Sequence, residues 1–245
     1  MSPSSWIAAD SASDLPPDRL ERVVSLGDVS TPELSAEARR GPQAYLVAQG
    51  SATDELPVHF HTVDQFQYFA HGCGVVGAHA VAHGRVHYAD ALSPYGPLRP
   101  GEPGMSYLTL RPVHDGGVRY MPAARDELSD LLERDPRSAR DRRNVAVDLT
   151  APAETGRWHH LRDDPDGLRI SVVEVEASAS TPPLVVDAGG AYVVVVDGAV
   201  VADGASLRRG AHRWLDQGEV VEAVAGADGL RVAALQFPQR SVIPV

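Results

Sequence analysis

The stretch "HFHTVDQFQYFAHGCG", residues 59–74, decides how the rest of the chain is read. Two histidines flank one phenylalanine, a glutamine follows four residues later, and a glycine turn closes the run. On a β-strand, residues i and i+2 point to the same face, so His59 and His61 share one. Inside a barrel that face is the interior, and both imidazoles converge on one point. The segment TVD can turn the chain into the next strand and bring Gln65 back to the same point. A third imidazole, His87, follows the Gly84 turn in "AHGRVHYAD". Three imidazoles and one amide oxygen suit a borderline divalent ion such as Zn, Fe(II), Mn, Ni or Cu, with one or two positions left open for substrate. The bland alternative is a strand with exposed His and Gln. Six of the ten histidines fall within residues 59–87, and that clustering favours one divalent metal ion per chain.

Outward from this stretch the text stays strand-like. Short alternating apolar runs between Gly, Pro and Asp fill residues 43–121 and return over 144–245. Between them "PAARDELSDLLERDPRSARDRR", residues 122–143, is charged and places Leu128, Leu131 and Leu132 at helical spacing, so it reads as a helical linker. Residues 1–42, rich in Ser, Pro, Asp and Glu, read as an arm with one short helix over Pro17–Val24. Two β-rich halves joined by a helix predict tandem barrels rather than one large sheet.

Composition narrows the function classes. A net charge of −11 makes nucleic acid and anionic membrane poor partners. All 22 basic residues are arginine, which excludes Schiff-base, pyridoxal-anchoring and phosphate-loop lysines. A single cysteine, Cys73, excludes an intrachain disulfide and a thiolate zinc cluster; it reads as a small buried residue. The start lacks a signal-peptide pattern and no apolar run reaches the roughly 20 residues of a membrane span. The expectation is a soluble, cytoplasmic protein that takes a small-molecule substrate, with room for a homodimer.

The order His59-x-His61-x-x-x-Gln65 closing at Gly72, followed by Gly77 and Gly84-x-x-His87, resembles the two motifs of the cupin superfamily. Three positions depart from it. Gln65 stands where glutamate is usual, Ala82 replaces proline and Ala91 replaces asparagine. The resemblance covers roughly residues 43–115 and implies an all-β fold of tandem double-stranded β-helix (jelly-roll) barrels, a bicupin. It implies His59, His61, Gln65 and His87 as the metal ligands. The second half resembles a degenerate cupin. Setting Gly198 against Gly72 puts the ligand positions near Leu184, Val186 and Gly190, none of which binds metal, and His212 falls one residue early.

Four further residues are candidates beside these ligands. By strand alternation Gln67 and Tyr107 face the barrel interior. Arg85 and Arg111 could supply a cation to an anionic substrate, against the alternative of surface arginines or ordinary barrel filling. A general base would come from His83, His79 or a pocket tyrosine such as Tyr107. Tyr95 in "SPYGPL" is either a mouth-loop residue or part of a simple turn. His159 and His160 fit a polar strand of the second barrel.

Glutamine in place of glutamate leaves a bound ion its full positive charge, which favours Lewis-acid work on a small polar or carbonyl-containing substrate: isomerase, epimerase, cyclase or lyase chemistry. A bicupin dioxygenase and a non-catalytic small-molecule-binding cupin are the alternatives.

Overall fold

A computed structural model describes residues 5–8, 20–26, 41–135 and 142–239. The N-terminal barrel contains β1 (Leu20–Leu26), β2 (Gln43–Gly50), β3 (His59–Phe60), β4 (Gln65–Val76), β5 (His79–Ala82), β6 (Arg85–Ala89), β7 (Leu98–Arg111), β8 (Arg119–Tyr120), α1 (Arg125–Arg134) and β9 (Asn144–Asp148). The C-terminal barrel contains β10 (His159–Asp163), β11 (Arg169–Val175), β12 (Leu184–Val185), β13 (Ala191–Ala202), β14 (Ala205–Arg208), β15 (His212–Leu215), β16 (Val220–Val221) and β17 (Val224–Gln236).

Each half builds one large antiparallel sheet and a short two-stranded ladder. In the first, the order is β1-β2-β7-β4-β6-β9 with β5 on β4, and β3 pairs with β8. In the second, it is β10-β11-β17-β13-β14 with β15 on β13, and β12 pairs with β16. The expected all-β fold of tandem jelly-roll barrels is what the chain forms.

The long strands β4 and β13 bend at equivalent glycines. Gly72 and Gly198 both have φ near +70°, the left-handed region that favours glycine. A Cβ at Gly72 would strike the carbonyl of Gly104 on β7, and one at Gly198 would strike that of Gly229 on β17. Register shifts in β4–β7 and in β13–β17 fall at these positions, so the bulge is a shared device that wraps the strand around its barrel.

Three expectations change. Leu20–Leu26 is a strand, not a helix, because it finds the edge of β2 in antiparallel register from Leu20–Gln49 to Leu26–Ala44; Pro17–Arg19 and most of the remaining arm lie outside the described residues. The expected short helix forms within residues 122–143, but it belongs to the N-terminal unit rather than standing between the two. Its Leu128, with Leu131 and Leu132, packs against Phe60, Ala91 and Leu92. The boundary between the compact units falls near residue 148 rather than 143, and residues 5–8 belong to the C-terminal one, where Ile7 bridges to His212.

The C-terminal core is a continuous apolar mass that includes Val173, Val193, Val195, Val232 and Ala234. This is the buried face of "AYVVVVDGAVVA" and its neighbours. The N-terminal core has aromatic residues at its base, with Phe69 against Tyr107 at 5.2 Å, and turns polar above them.

Candidate functional site

The polar end of the N-terminal barrel encloses a cavity of about 340 Å³. His59, His61, Gln65, Gln67, Thr109 and Arg111 make its polar lining, with Tyr45, Tyr95 and Tyr107 among them and Leu56 and Val118 at its edge. The pairing explains why these side chains meet. Gln67 lies opposite Thr109 on β7 and opposite His87 on β6. Arg111 lies opposite Gln43 on β2. The β3–β8 ladder brings His59 and His61 over from the facing side.

The hydrogen bonds run in one consistent direction from Arg111. Its Nε and Nη2 donate to Gln65 Oε1 at 3.1 and 3.0 Å, and its Nη1 donates to Gln43 Oε1 at 2.9 Å. Gln65 Nε2 donates to the Tyr95 hydroxyl. That hydroxyl donates to His59 Nε2 at 2.9 Å, and His59 Nδ1–H donates to the carbonyl of Pro57 at 2.6 Å. His61 Nδ1–H donates to Asp115 Oδ2 at 2.7 Å, and Arg111 Nη2 lies 3.2 Å from both nitrogens of the same ring. Tyr95 is fixed there by its backbone, which exchanges both hydrogen bonds with His59.

Burial sets the charges. Desolvation holds His59 below the ordinary 6.5 and lowers His61 to about 4, with the charge of Arg111 adding to the effect. Burial pushes the Tyr95 phenol well above 10, so it remains a donor. Burial alone would raise the Asp115 carboxyl, but the His61 hydrogen bond and the Arg111 charge outweigh it and hold it well below the usual carboxylate range. Asp115 also accepts from Thr62 N, Thr62 Oγ1 and Gly117 N. The lining therefore carries one buried cation, one buried anion 3.5 Å away and neutral imidazoles.

Among the expected site residues, His59, His61, Gln65, Gln67, Tyr107 and Arg111 share the cavity. His87 lies fully buried behind it, with Nδ1 at 3.1 Å from Gln67 Oε1 and Nε2 at 2.7 Å from Asn144 Oδ1. Desolvation lowers it to about 4, so it is neutral and its single N–H can donate to only one of these two amide oxygens. His83 and Arg85 do not line the cavity. The tight Gly84 turn, with φ of +78° and its N–H on the Phe69 carbonyl, keeps them at the β5–β6 hairpin. His79 sits on β5, its ring 6.0 Å from that of His87. The residues that the sequence left unassigned are Gln43, Asp115 and Asn144. Gln43 and Asn144 are distant in sequence from Arg111 and His87, and Asp115, four residues from Arg111, is distant from His61.

No family model matches the chain, and no curated protein matches it. Solved structures do. The chain aligns over its full length with 90% of a candidate dioxygenase from Nostoc punctiforme, at 13% identity and a TM-score of 0.58. It also aligns over 82% of its length with 70% of the oxalate decarboxylase of Bacillus subtilis, a protein with Mn(II) centres, at 14% identity and a TM-score of 0.53. Over 84% it aligns with 76% of hazelnut (Corylus avellana) vicilin, at 14% identity and a TM-score of 0.50. The chain has the bicupin fold.

The two barrels can be compared position by position. With Gly198 on Gly72 and β13 on β4, the residues opposite His59, His61 and Gln65 are Val185, Asp187 and Ala191. The positions expected from the sequence, Leu184, Val186 and Gly190, are each one residue early. Gln67 and Thr109 correspond to Val193 and Ala234, which pair with each other on β13 and β17 as their counterparts do on β4 and β7. Valine and alanine fill the C-terminal barrel where the N-terminal one is hollow and polar. Only Asp187 keeps metal-ligand chemistry, and its carboxylate is spent on Arg169 at 3.0 Å and on Gln236 Nε2 at 2.8 Å.

A bicupin fold brings the expectation of a metal, and the N-terminal donors can be tested for it. Among the described residues, no group of three or more His, Cys, Asp or Glu side chains is arranged to hold an ion. Gln65 Oε1 accepts twice from a guanidinium, His59 Nε2 is engaged by Tyr95, Arg111 Nη2 lies against the His61 ring at 3.2 Å from both its nitrogens, and the His87 nitrogens face Gln67 and Asn144 rather than the cavity. An ion on these donors would lie beside a buried guanidinium. Two like unit charges about 4 Å apart repel by about 4 kcal/mol at an effective dielectric of about 20, a divalent ion doubles that, and Asp115, on the guanidinium's other side at 3.5 Å, offsets only part of it. In this arrangement the donor set does not fit a metal ion.

Proposed function

We propose that the N-terminal barrel is the working half of the protein and acts on a small polar molecule bearing a carbonyl or carboxylate oxygen. One contrast carries this reading: the same inward positions are polar around a cavity of about 340 Å³ in one barrel and filled with Val and Ala in the other. A volume of that size takes a small ligand. The chemistry it suits is isomerisation, epimerisation, cyclisation or elimination next to a carbonyl group. The positive field of Arg111 favours negative charge developing on the ligand oxygen. The hydroxyls of Thr109 and Tyr107 are placed to contact that oxygen. His59 and His61, kept neutral by burial, carry the cavity's basic nitrogens, and either accepts a proton once the ligand displaces Tyr95 or Arg111 from it.

Solvent-exchange NMR tests the reaction class. In deuterated buffer, a panel of small ketones, 2-oxo acids and hydroxy acids is incubated with the protein. The expected outcome is enzyme-dependent deuterium incorporation at a carbon beside the carbonyl, reduced at least about tenfold in His61→Asn. Binding of a ligand with no exchange and no product would place the protein in the non-catalytic class.

A second reading, metal-assisted chemistry with Zn, Fe, Mn, Ni or Cu, is favoured by the tautomers. His59 and His61 both anchor Nδ1–H outward, on Pro57 O and Asp115, and turn Nε2 towards the cavity, as metal-bound imidazoles do. The Mn(II) centres of the oxalate decarboxylase neighbour and the Nostoc candidate dioxygenase support it. It requires Arg111 and Tyr95 to leave their present partners.

A further inference from the structure

We propose that the guanidinium of Arg111 is the resident cation of the N-terminal barrel and that the barrel works without a metal ion. The inference concerns the same cavity as the proposed function, but its test needs no substrate.

Three observations carry it. First, the guanidinium is built in rather than lent to a ligand. Its five N–H groups face Gln65 (twice), Gln43, Asp115 and His61. Its carbon lies 5.3 Å from the centroid of the Tyr45 ring, and the residue is only 4% exposed. Second, it has a dedicated counter-ion. Asp115 is locked by His61, Thr62 and Gly117, so the buried pair is electrically balanced before anything else binds. The bonds from Arg111 through Gln65 and Tyr95 occupy His59 Nε2 without an ion, and Arg111 Nη2 lies against the His61 ring at 3.2 Å from both its nitrogens.

Third, the C-terminal barrel repeats the arrangement with the residues exchanged. The counterparts of His61, Arg111 and Gln43 are Asp187, Gln236 and Arg169, by the strand pairing of β17 with β13 and β11. There, too, a guanidinium binds the residue at the second-histidine position, Arg169 to Asp187, and Gln236 joins it. A fixed cation at this end is a feature of both halves of the molecule, whereas the histidines belong to one.

The consequence is a restriction on substrate. A guanidinium neither exchanges ligands nor changes oxidation state, and its N–H groups are committed to the protein. It supplies a fixed field to carbonyl and carboxylate oxygens and offers no coordination position for dioxygen.

The test is metal stoichiometry and affinity on the full chain, by elemental analysis and by calorimetric titration with Zn²⁺, Mn²⁺ and Ni²⁺. Wild-type protein is expected to carry well under about 0.1 ion per chain. Arg111→Met removes the charge and retains an unbranched side chain. It is expected to gain about one ion per chain, at least about tenfold more tightly than wild type, because the His59 and His61 tautomers are already set. About one ion per wild-type chain, lost in His61→Ala and unchanged in Arg111→Met, would overturn the proposal. Should Arg111→Met not fold, the wild type alone decides: a stoichiometric ion that disappears in His61→Ala refutes the resident guanidinium, and its absence sustains it. Failure of the deuterium-exchange experiment would leave this result untouched.

Discussion

At the scale of single residues, the Arg111–Asp115 pair bears on stability as well as on the site. Removing one partner of a buried, hydrogen-bonded charge pair costs about 3–5 kcal/mol, because the other is left uncompensated. Asp115→Asn should therefore lower the unfolding free energy by about that amount in urea titration, while Asp187→Asn, at a half-exposed pair, should cost under about 1 kcal/mol. Burial also makes stability depend on pH. His61, His87 and His212 are each lowered to about 4 by desolvation. Between 6.5 and about 4 the unfolded imidazoles take protons that the folded ones refuse, so the unfolded state binds more protons and stability falls with pH. Asp115, depressed in the folded state, extends the loss below about 4. Chemical denaturation midpoints measured from pH 7.5 to 4 should decline steadily, steepest below 6; a flat profile would mean that these imidazoles take up protons in the folded protein at the same pH as in the unfolded chain. The meeting of His59, His61 and Gln65 was legible in the sequence, because a period of two and one turn suffice to place them. Arg111 appeared only as a candidate cation, since its partner Gln43 is 68 residues away and nothing local announces a β2–β7 register.

At the scale of elements, the paired bulges carry the barrels. Gly72 holds a left-handed φ against the Gly104 carbonyl, and Gly198 does the same against Gly229. Alanine at either position adds backbone strain to a steric clash, at a combined cost of at least about 2 kcal/mol. Thermal unfolding of Gly72→Ala and Gly198→Ala should both show a clearly reduced midpoint, whereas Gly204→Ala, where a Cβ meets nothing within 4 Å, should lose less. The recurring glycines let the sequence show that the halves share a rhythm, and the spacing from Gly72 to Gly198 carried through leads to Val185, Asp187 and Ala191, one residue beyond the expected positions. The helix expected over Pro17–Val24 failed for want of tertiary information. Leu20–Leu26 is polar enough locally to suit a short helix, and only the open edge of β2 makes it a strand.

At the scale of the whole molecule, two barrels of one fold differ inside, one retaining a polar cavity and the other filled with valine and alanine. The tandem arrangement was readable because composition changes at the helix. The contrast between the interiors was readable only in part, since Gln67, Tyr107 and Thr109 acquire meaning from the β4–β7 pairing. Among the described residues, no helix is long and apolar enough to cross a membrane. The most direct measurement of the claim that function resides in the N-terminal cavity is calorimetric titration of a small carbonyl or carboxylate ligand into wild type and into Thr109→Val/Tyr107→Phe. That variant removes two hydroxyls and no carbon atoms from the lining. Two hydrogen bonds at about 1 kcal/mol each predict a loss of roughly tenfold or more in affinity with stoichiometry of one retained in the wild type. Unchanged affinity in the variant, together with loss of binding in Asp187→Asn or Arg169→Gln, would move the site to the other barrel and contradict the account.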